Sequence, residues 1–248
     1  MSRNRELGVV TGAASGIGRA TAQLLLDKGC RVLAVDNDRQ GLKALELQAE
    51  VDTLCVDLGD PSDRDRVIAA GEGATYLVNA AGIILLKPIG SVSVEDWRKV
   101  QTVNAEAIFF LCQGLGPTIP AGGAIVNLSS SSAKLASTVE AAVYAASKTT
   151  ILSITRSFAY SLSKVPVRVN AVCPAIIDTP MQESVLDQVS SQRGTTSEEL
   201  RTSRNALVPM GRPGQPEELA RLIWFLLSDG GGYMTGQAIN FGGGMVTW

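Results

Sequence analysis

Apolar residues follow two alternating patterns along this chain. Short, mostly apolar and often β-branched runs predict strands, and longer segments with apolar residues at helical spacing predict helices. Because near-continuous apolarity is typical of strands covered on both faces, the strands are expected to form one parallel sheet. The alternation predicts a single doubly wound α/β domain over residues 1–248 with helices on both faces. The seven predicted strands are Leu7–Thr11, Arg31–Asp36, Thr53–Asp57, Tyr76–Asn79, Ala124–Leu128, Val167–Val172 and Ala238–Phe241.

Two local signals indicate where predicted helices begin. Ser93 and Asp96 have the spacing of a capping box, in which each side chain accepts a hydrogen bond from the other residue's backbone N–H. Pro216 followed by two glutamates is typical of a first helical turn. The predicted helices are Gly18–Lys28, Asp38–Gln48, Ser62–Ala70, Val94–Leu115, Ala145–Ser163 and Glu217–Leu227.

One long polar stretch, Ile176 to Arg212, breaks this alternation. Its middle, Val189 to Ser203, is rich in small and polar residues, as a mobile segment would be. Connections of this length inside a compact domain are usually binding loops or lids. We therefore expect a substrate lid at residues 176–212.

The composition excludes several classes of function. The net charge is −2 and no run of Lys or Arg exceeds two residues, so neither nucleic acid nor an anionic membrane is expected as a partner. No run of about 18 apolar residues predicts a membrane span. The polar Met1 to Glu6 leads directly into a strand, which leaves no room for a signal peptide and favours a cytoplasmic protein.

The residue types available restrict the chemistry further. The four cysteines are scattered, form no C-x-x-C pair and mostly lie in apolar runs, so we expect buried hydrophobic residues and no metal site. The sequence contains no histidine. Any general acid or base must therefore be a Tyr, Lys, Asp, Glu or Cys side chain.

A glycine-rich segment, Thr11–Gly18, follows the first predicted strand and leads into a helix. Glycines at such a turn let the backbone approach a pyrophosphate at the helix N-terminus. The second strand ends at Asp36, where a carboxylate would bind an adenosine ribose diol and repel a 2′-phosphate. This pattern predicts NAD as the cofactor, although the nearby Arg39 could favour NADP.

Tyr144 and Lys148 have a spacing that places a phenol and an ammonium group on one face of a helix. A neighbouring cation stabilises a phenolate and is expected to lower the tyrosine pKa, so that the phenol exchanges protons near neutral pH. Upstream, a strand ends in the serine run Ser129–Ser132, whose hydroxyls could hold a substrate oxygen.

Together these motifs resemble the short-chain dehydrogenase/reductase family, in its compact branch, over essentially the whole chain. The resemblance implies a Rossmann-type fold, a nicotinamide cofactor and hydride transfer between a secondary alcohol and a ketone. The matching positions are Thr11–Gly18, Asp36, Asp57, Asn79–Gly82, Asn104, the serine run, Tyr144, Lys148, Asn170–Pro174, Asp178 and Thr179.

The resemblance also implies a role for each position. Asp57 and Leu58 would hold the adenine, Lys148 the nicotinamide ribose, and Ile177 and Thr179 the carboxamide. The full set of implied cofactor-binding residues is Gly12, Ser15, Gly16, Ile17, Gly18, Asp36, Asp57, Leu58, Asn79, Gly82, Tyr144, Lys148, Ile177 and Thr179.

The implied catalytic residues are a serine, Tyr144, Lys148 and Asn104. Tyr144 would be the acid–base, Asn104 would anchor a water of the proton relay through Lys148, and the serine would polarise the carbonyl. Alignment of the strand ends selects Ser130 for this role, whereas the commoner family spacing selects Ser131. The longer spacing resembles the type-2 3-hydroxybutyrate and sugar-acid dehydrogenase subgroup, so Ser130 is preferred.

The substrate is predicted less directly. The expected pocket comprises Ser130, Ser132, Val139, Ile176 and the lid, whose Arg193, Arg201 and Arg204 suit hydroxyls or a carboxylate. We expect a small hydroxy acid, sugar acid or polyol. The alternatives are an NADPH-dependent 3-ketoacyl reductase and a non-catalytic NAD-sensing module. The resemblance further implies a homotetramer built on Val94–Leu115 and Ala145–Ser163.

Overall fold

A computed structural model describes residues 5–135 and 139–248, without the side chain of Val139. The described chain forms one parallel sheet of seven strands in the order β3-β2-β1-β4-β5-β6-β7. This confirms the predicted doubly wound α/β fold. The strands are β1 Leu7–Thr11, β2 Arg31–Asp36, β3 Asp52–Cys55, β4 Tyr76–Asn79, β5 Ala124–Leu128, β6 Arg168–Pro174 and β7 Ala238–Phe241.

The strand order reverses direction between β1 and β4, which are direct neighbours in the sheet. At such a switch point the connections leave in opposite directions, which opens a crevice at the carboxyl ends of the strands. The segments that follow β1, β4, β5 and β6 all lie at this edge. These segments contain the glycine loop, Asn79–Gly82, the serine run and the start of the lid.

Helices cover both faces of the sheet. On one face, α1 and α9 pack against each other through Leu25 and Ile223, and on the other Leu111 of α5 packs with Ile151 of α6. Each such fully buried side chain contributes about 1.5–3 kcal/mol through removal from water. The helices are α1 Gly16–Asp27, α2 Arg39–Glu46, α3 Pro61–Ala70, α4 Val94–Gln101, α5 Ala107–Leu115, α6 Ala142–Leu162, α7 Pro180–Arg193, α8 Ser197–Asn205 and α9 Pro216–Leu227.

The helix predicted over Val94–Leu115 is interrupted in the structure. A single π-helical turn, Thr102–Glu106, separates α4 from α5. Such turns insert an extra residue into a helix and occur often at functional sites. This one contains Asn104, one of the predicted catalytic residues. The capping box of Ser93 and Asp96 at the start of α4 is confirmed.

The lid contains two helices, α7 and α8, that the sequence analysis did not predict. Thr179 caps α7, Pro180 occupies its first turn, and Gly194 ends it with a left-handed φ of 64°. Thr196 and Glu199 form a capping box at the start of α8. The polar composition of this segment reflects its helix-terminating residues and its solvent-facing sides. Among the described residues, the helices are too short or too polar to traverse a lipid bilayer.

Candidate active site

The glycine loop is held close to the segment that follows β4. Gly12 has a φ of 69°, and a Cβ there would lie 2.7 Å from the backbone nitrogen of Ala81. The Thr11 hydroxyl accepts hydrogen bonds from the N–H groups of Ala80 and Ala81, at 3.1 and 3.2 Å. A Cβ at Gly18 would lie 2.0 Å from the Gly12 carbonyl oxygen, so this turn requires glycine at position 18.

The N-terminus of α1 is suited to an anion. Ser15 precedes the helix but makes no capping hydrogen bond, and no described side chain accepts from the N–H groups of Gly16, Ile17 or Gly18. Unsatisfied N–H groups and the helix dipole together favour a phosphate at such an end. Thr179 lies on the other side, since a Cβ at Gly16 would be 3.2 Å from its Cγ2.

Asp36 presents its carboxylate at the carboxyl end of β2, beside the glycine loop. One oxygen accepts a hydrogen bond from the Ala14 N–H at 3.0 Å and the other from the Asp38 N–H at 2.9 Å. The backbone thus fixes the carboxylate in place while the side chain remains half-exposed. A negative charge held here is available to a ribose diol and unfavourable to a 2′-phosphate.

Two further predicted cofactor residues follow β3. Asp57 is exposed, and its carboxylate accepts a hydrogen bond from the Gly59 N–H at 2.8 Å. The neighbouring Leu58 side chain packs into the core, so it can offer only its backbone to an adenine. At the far end of the crevice, Ile177 is buried and pairs through its backbone with Gly214.

Tyr144 and Ser130 meet in the structure, where the Ser130 side chain lies close enough to Tyr144 to oppose the rise in its pKa. Ser130 is buried at the end of β5, and its Oγ accepts a hydrogen bond from the Ser132 N–H at 3.1 Å. Ser131 instead begins a short 3-10 turn, Ser131–Ala133. The structure therefore places Ser130, rather than Ser131, against the tyrosine.

Burial shifts the pKa values of Tyr144 and Lys148, which both lie on α6. It raises the pKa of Tyr144, and the Ser130 side chain offsets this only in part. Burial also lowers the pKa of Lys148 to about 8. The sequence-based expectation that Lys148 lowers the tyrosine pKa is not met. The ammonium lies 5.6 Å from the Tyr144 ring centroid and donates to the Leu128 carbonyl at 2.8 Å.

Asn104 and Gly82 stand beside Lys148. The Asn104 amide bonds to both backbone groups of Ile83, at 2.8 and 2.9 Å, and donates to the Ser147 Oγ at 3.0 Å. A Cβ at Gly82 would lie 3.3 Å from both the Asn104 Oδ1 and the Lys148 Nζ. The π-helical turn therefore places the Asn104 side chain beside the Lys148 amine.

Asn79 faces the interior rather than the crevice. Its side chain is fully buried and donates to the Asn127 Oδ1 at 2.8 Å, and Asn127 in turn donates to the Thr155 Oγ1 at 3.0 Å. This chain of hydrogen bonds ties β4 to β5 and to α6. Asn79 can consequently offer only its backbone to a cofactor.

An apolar cluster joins the lid helix α7 to Tyr144. Its buried members are Leu86, Ala141 and Val185 of α7, and Ile84, Tyr144 and Val189 pack against them. This apolar wall was missed in the sequence analysis, because its members look like ordinary core residues until the tertiary structure joins them.

The parts of this crevice fit a nicotinamide dinucleotide. A helix end suited to phosphate, a fixed carboxylate and the Gly82 cradle beside Lys148 lie along one sheet edge. A family model described as enoyl-(acyl carrier protein) reductase matches residues 12–246. The chain belongs to the short-chain dehydrogenase/reductase family.

Named relatives span nearly the whole chain. It is 35% identical to a 3-oxoacyl-[acyl-carrier-protein] reductase of Thermotoga maritima, over 96% of both chains. It is 32% identical to a D-threitol dehydrogenase of Mycolicibacterium smegmatis, over 96% of this chain and 92% of that protein. A crystal structure of an actinorhodin polyketide ketoreductase with NADPH superposes with a TM-score of 0.91, at 31% identity and full coverage of both chains.

Proposed function

We propose that this protein is an NAD-dependent dehydrogenase that interconverts a small secondary alcohol and the corresponding ketone. The observation that carries the proposal is the placement of the Ser130 side chain against Tyr144, beside an apolar cluster. A phenol beside a second hydroxyl provides both a proton donor or acceptor and a hydrogen bond for the substrate oxygen. Bound nicotinamide would supply the hydride acceptor.

Each catalytic side chain has a defined task in this proposal. In the oxidation direction, Tyr144 in its phenolate form accepts the hydroxyl proton while Ser130 donates to the substrate oxygen. Lys148 binds the nicotinamide ribose and returns the proton toward solvent along a path that Asn104 anchors. In the reduction direction the protonated phenol donates instead. The same four residues serve both directions.

The choice of NAD rests on Asp36. Its carboxylate is fixed by two backbone N–H groups, so it could turn away from a 2′-phosphate only by breaking both hydrogen bonds. Removal of such bonds costs about 1–3 kcal/mol where the donors are left unsatisfied. Arg39 is exposed and makes no ion pair within the described chain. It is the first residue of α2, so it lies past the end of β2, where Asp36 stands.

A second candidate function is a 3-ketoacyl reductase that uses NADPH. The 35% identity to the Thermotoga maritima enzyme favours it, and the charge of Asp36 disfavours it. A non-catalytic NAD sensor is a third reading, and the retention of Ser130, Tyr144, Lys148 and Asn104 in one site argues against that. The resemblance to the 3-hydroxybutyrate and sugar-acid subgroup remains part of the proposal.

The test is a screen of NAD and NADP reduction with secondary alcohols of three classes: polyols, short hydroxy acids and 3-hydroxyacyl thioesters. Turnover of polyols or hydroxy acids with NAD supports the proposal. Turnover of the thioester with NADP alone would replace it by the second candidate. Tight NAD binding without turnover of any alcohol would instead support the sensor.

We also propose a homotetramer. Phe109 and Phe110 on α5 and Tyr160 on α6 are large apolar or aromatic side chains that stay exposed on adjacent helices. Burial of such a face on a second copy would remove it from water. Light scattering should give the mass of four 26.0 kDa chains, and a monomer mass at micromolar concentration would contradict this.

A further inference from the structure

A buried arginine links α3 to the π-helical turn that contains Asn104. The guanidinium of Arg64, on α3, lies 2.9 Å from a carboxylate oxygen of Glu106, the last residue of that turn. The Arg64 side chain is buried, whereas Glu106 is exposed. The guanidinium carbon also lies 5.2 Å from the centroid of the Phe110 ring. The ion pair therefore fixes the turn to a neighbouring helix two residues after Asn104.

Apolar contacts already hold α3 against α5. Val67 of α3 and Leu111 and Leu115 of α5 belong to one buried cluster. A Cβ at Gly114 would lie 2.6 Å from the Ile68 side chain, so the two helices approach closely there. Desolvation makes a buried ion pair a weak source of stability, and apolar residues of similar volume often stabilise a fold as well or better. A role in fixing local geometry is thus the better account of a buried arginine at this position.

The π-helical turn depends on a register that an α-helix does not share. It contains one residue more than an α-helical turn, so relaxation to α-helical geometry would shift the register by one position. Such a shift rotates side chains by about 100° around the helix axis. Asn104 would then turn away from Ile83, whose two backbone groups its amide bonds at 2.8 and 2.9 Å. Because Glu106 lies in the same turn, an ion pair that holds its side chain opposes this rotation.

We propose that Arg64 is a positioning residue for Asn104. By holding Glu106, it keeps the π-helical turn in the register that sets the Asn104 amide against Ile83 and beside the Lys148 amine. Arg64 acts through Glu106 and the turn, and not at the reacting atoms. The proposal rests on the proposed function, in which Asn104 anchors the path that returns the proton through Lys148.

Amide hydrogen exchange at Ile83 measures the placement of Asn104 directly, because the Ile83 N–H donates to the Asn104 Oδ1. Mass spectrometry of peptides that include Ile83 should show exchange that is faster by roughly tenfold or more in Arg64→Gln. Glu106→Gln removes the same ion pair from an exposed position and should give the same result. Peptides of β5 report opening of the whole fold and should change less. Wild-type exchange at Ile83 in both variants would overturn the proposal.

Kinetics test whether Arg64 acts through Asn104. With an alcohol that the wild type oxidises, kcat should fall roughly tenfold or more in Arg64→Gln, since small displacements of a catalytic group are costly. The solvent deuterium isotope effect on kcat should increase, because proton return becomes slower relative to hydride transfer. Arg64→Lys, which keeps the charge, should recover part of kcat.

A double variant shows whether the two residues act as one unit. In an Asn104→Ala background, Arg64→Gln should cause less than about twofold further loss of kcat, because the group that it positions is already absent. Losses that multiply in full would show that Arg64 acts independently of Asn104, and the proposal would fail. A wild-type kcat in Arg64→Gln would also contradict it.

The matched control is Arg168→Gln, which removes a partly buried arginine at the start of β6, the opposite edge of the sheet from the site. The Arg168 guanidinium donates to the carbonyls of Leu227 and Gly231, at 2.7 and 3.1 Å, so its loss should lower the Tm. The solvent isotope effect should stay at its wild-type value, and exchange at Ile83 should not exceed that of β5. Changes equal to those of Arg64→Gln would assign both to general destabilisation and refute the positioning role.

The exchange measurement separates this proposal from the proposed function, because it needs no substrate. Faster exchange at Ile83 in Arg64→Gln and Glu106→Gln is expected even if no alcohol is turned over, in which case only the proposed function fails. Turnover of an alcohol together with wild-type exchange at Ile83 in both variants would overturn the positioning role of Arg64 alone.

Discussion

Tyr144→Phe tests the mechanism most directly, because it removes one hydroxyl and keeps the ring. The ring retains its packing against the cluster of Leu86, Ala141 and Val185, and Ser130 keeps its hydrogen bond from the Ser132 N–H. The cost to folding should therefore be about that of one hydrogen bond, roughly 1 kcal/mol, which lowers the Tm by about 2–4 °C in a chain of this size.

Catalysis should suffer far more than stability does. Loss of a general acid–base lowers kcat by a factor of roughly 10² or more, which corresponds to about 2.7 kcal/mol. Without histidine in the chain, no imidazole can take over the proton transfer. NAD binding, measured by protein fluorescence quenching, should remain within roughly threefold of wild type, which is a change in binding free energy of less than about 1 kcal/mol.

Tyr76→Phe provides the matched control. Tyr76 is a buried tyrosine whereas Tyr144 is half-buried, and the Tyr76 hydroxyl donates to Glu6 at 3.0 Å at the start of β4, the opposite end of the sheet from the site. It should show a similar small Tm change and a wild-type kcat. A near-normal kcat in Tyr144→Phe, or an equal loss of kcat in both variants, would refute the assigned mechanism.

The remaining predictions concern the cofactor, the pH profile and the glycine loop. Wild type should prefer NAD to NADP by at least roughly tenfold in kcat/KM, about 1.4 kcal/mol. Asp36→Asn should shrink that ratio. A wild-type preference for NADP would contradict the role of Asp36. Because burial raises the pKa of Tyr144, the phenolate that oxidation needs should become more abundant as pH rises. The kcat for oxidation should therefore increase from pH 7 to 9, whereas the kcat for reduction should not. A falling oxidation rate would count against Tyr144 as the base. Gly18→Ala should weaken NAD binding at least roughly tenfold or unfold the chain, as measured by calorimetry. The reason is that the alanine Cβ would lie 2.0 Å from the Gly12 carbonyl oxygen. A wild-type affinity would show that the turn adapts.

Residues that act through local patterns were predictable from the sequence. The strand ends at Thr11 and Asp36 follow from apolar runs that stop at polar residues, and the helical spacing of Tyr144 and Lys148 follows from their separation along the chain. The capping signals of Ser93 and Pro216 were likewise confirmed. Such features depend on neighbours within a few positions, so one sequence suffices to detect them.

Other features were decided only by packing between distant segments. The contact of Ser130 with Tyr144, which distinguishes it from Ser131, depends on how β5 meets α6. The dominance of burial over the charge of Lys148 in setting the tyrosine pKa depends on the apolar wall beneath α7. Spacing along the chain carries no information on either, because both are set by the desolvation that the assembled fold imposes.

The lid contains features of both kinds, some set by local sequence patterns and some set by packing between distant segments. Its helix caps, Thr179 and Thr196, and the terminating Gly194 were present in the sequence, although the polar composition masked them. The pairing of Arg201 with Glu183 joins side chains of two different helices. The sequence alone thus determined the fold class and the chemical groups available, and the tertiary structure decided which of those groups meet, because charge pairing and burial act through space rather than along the chain.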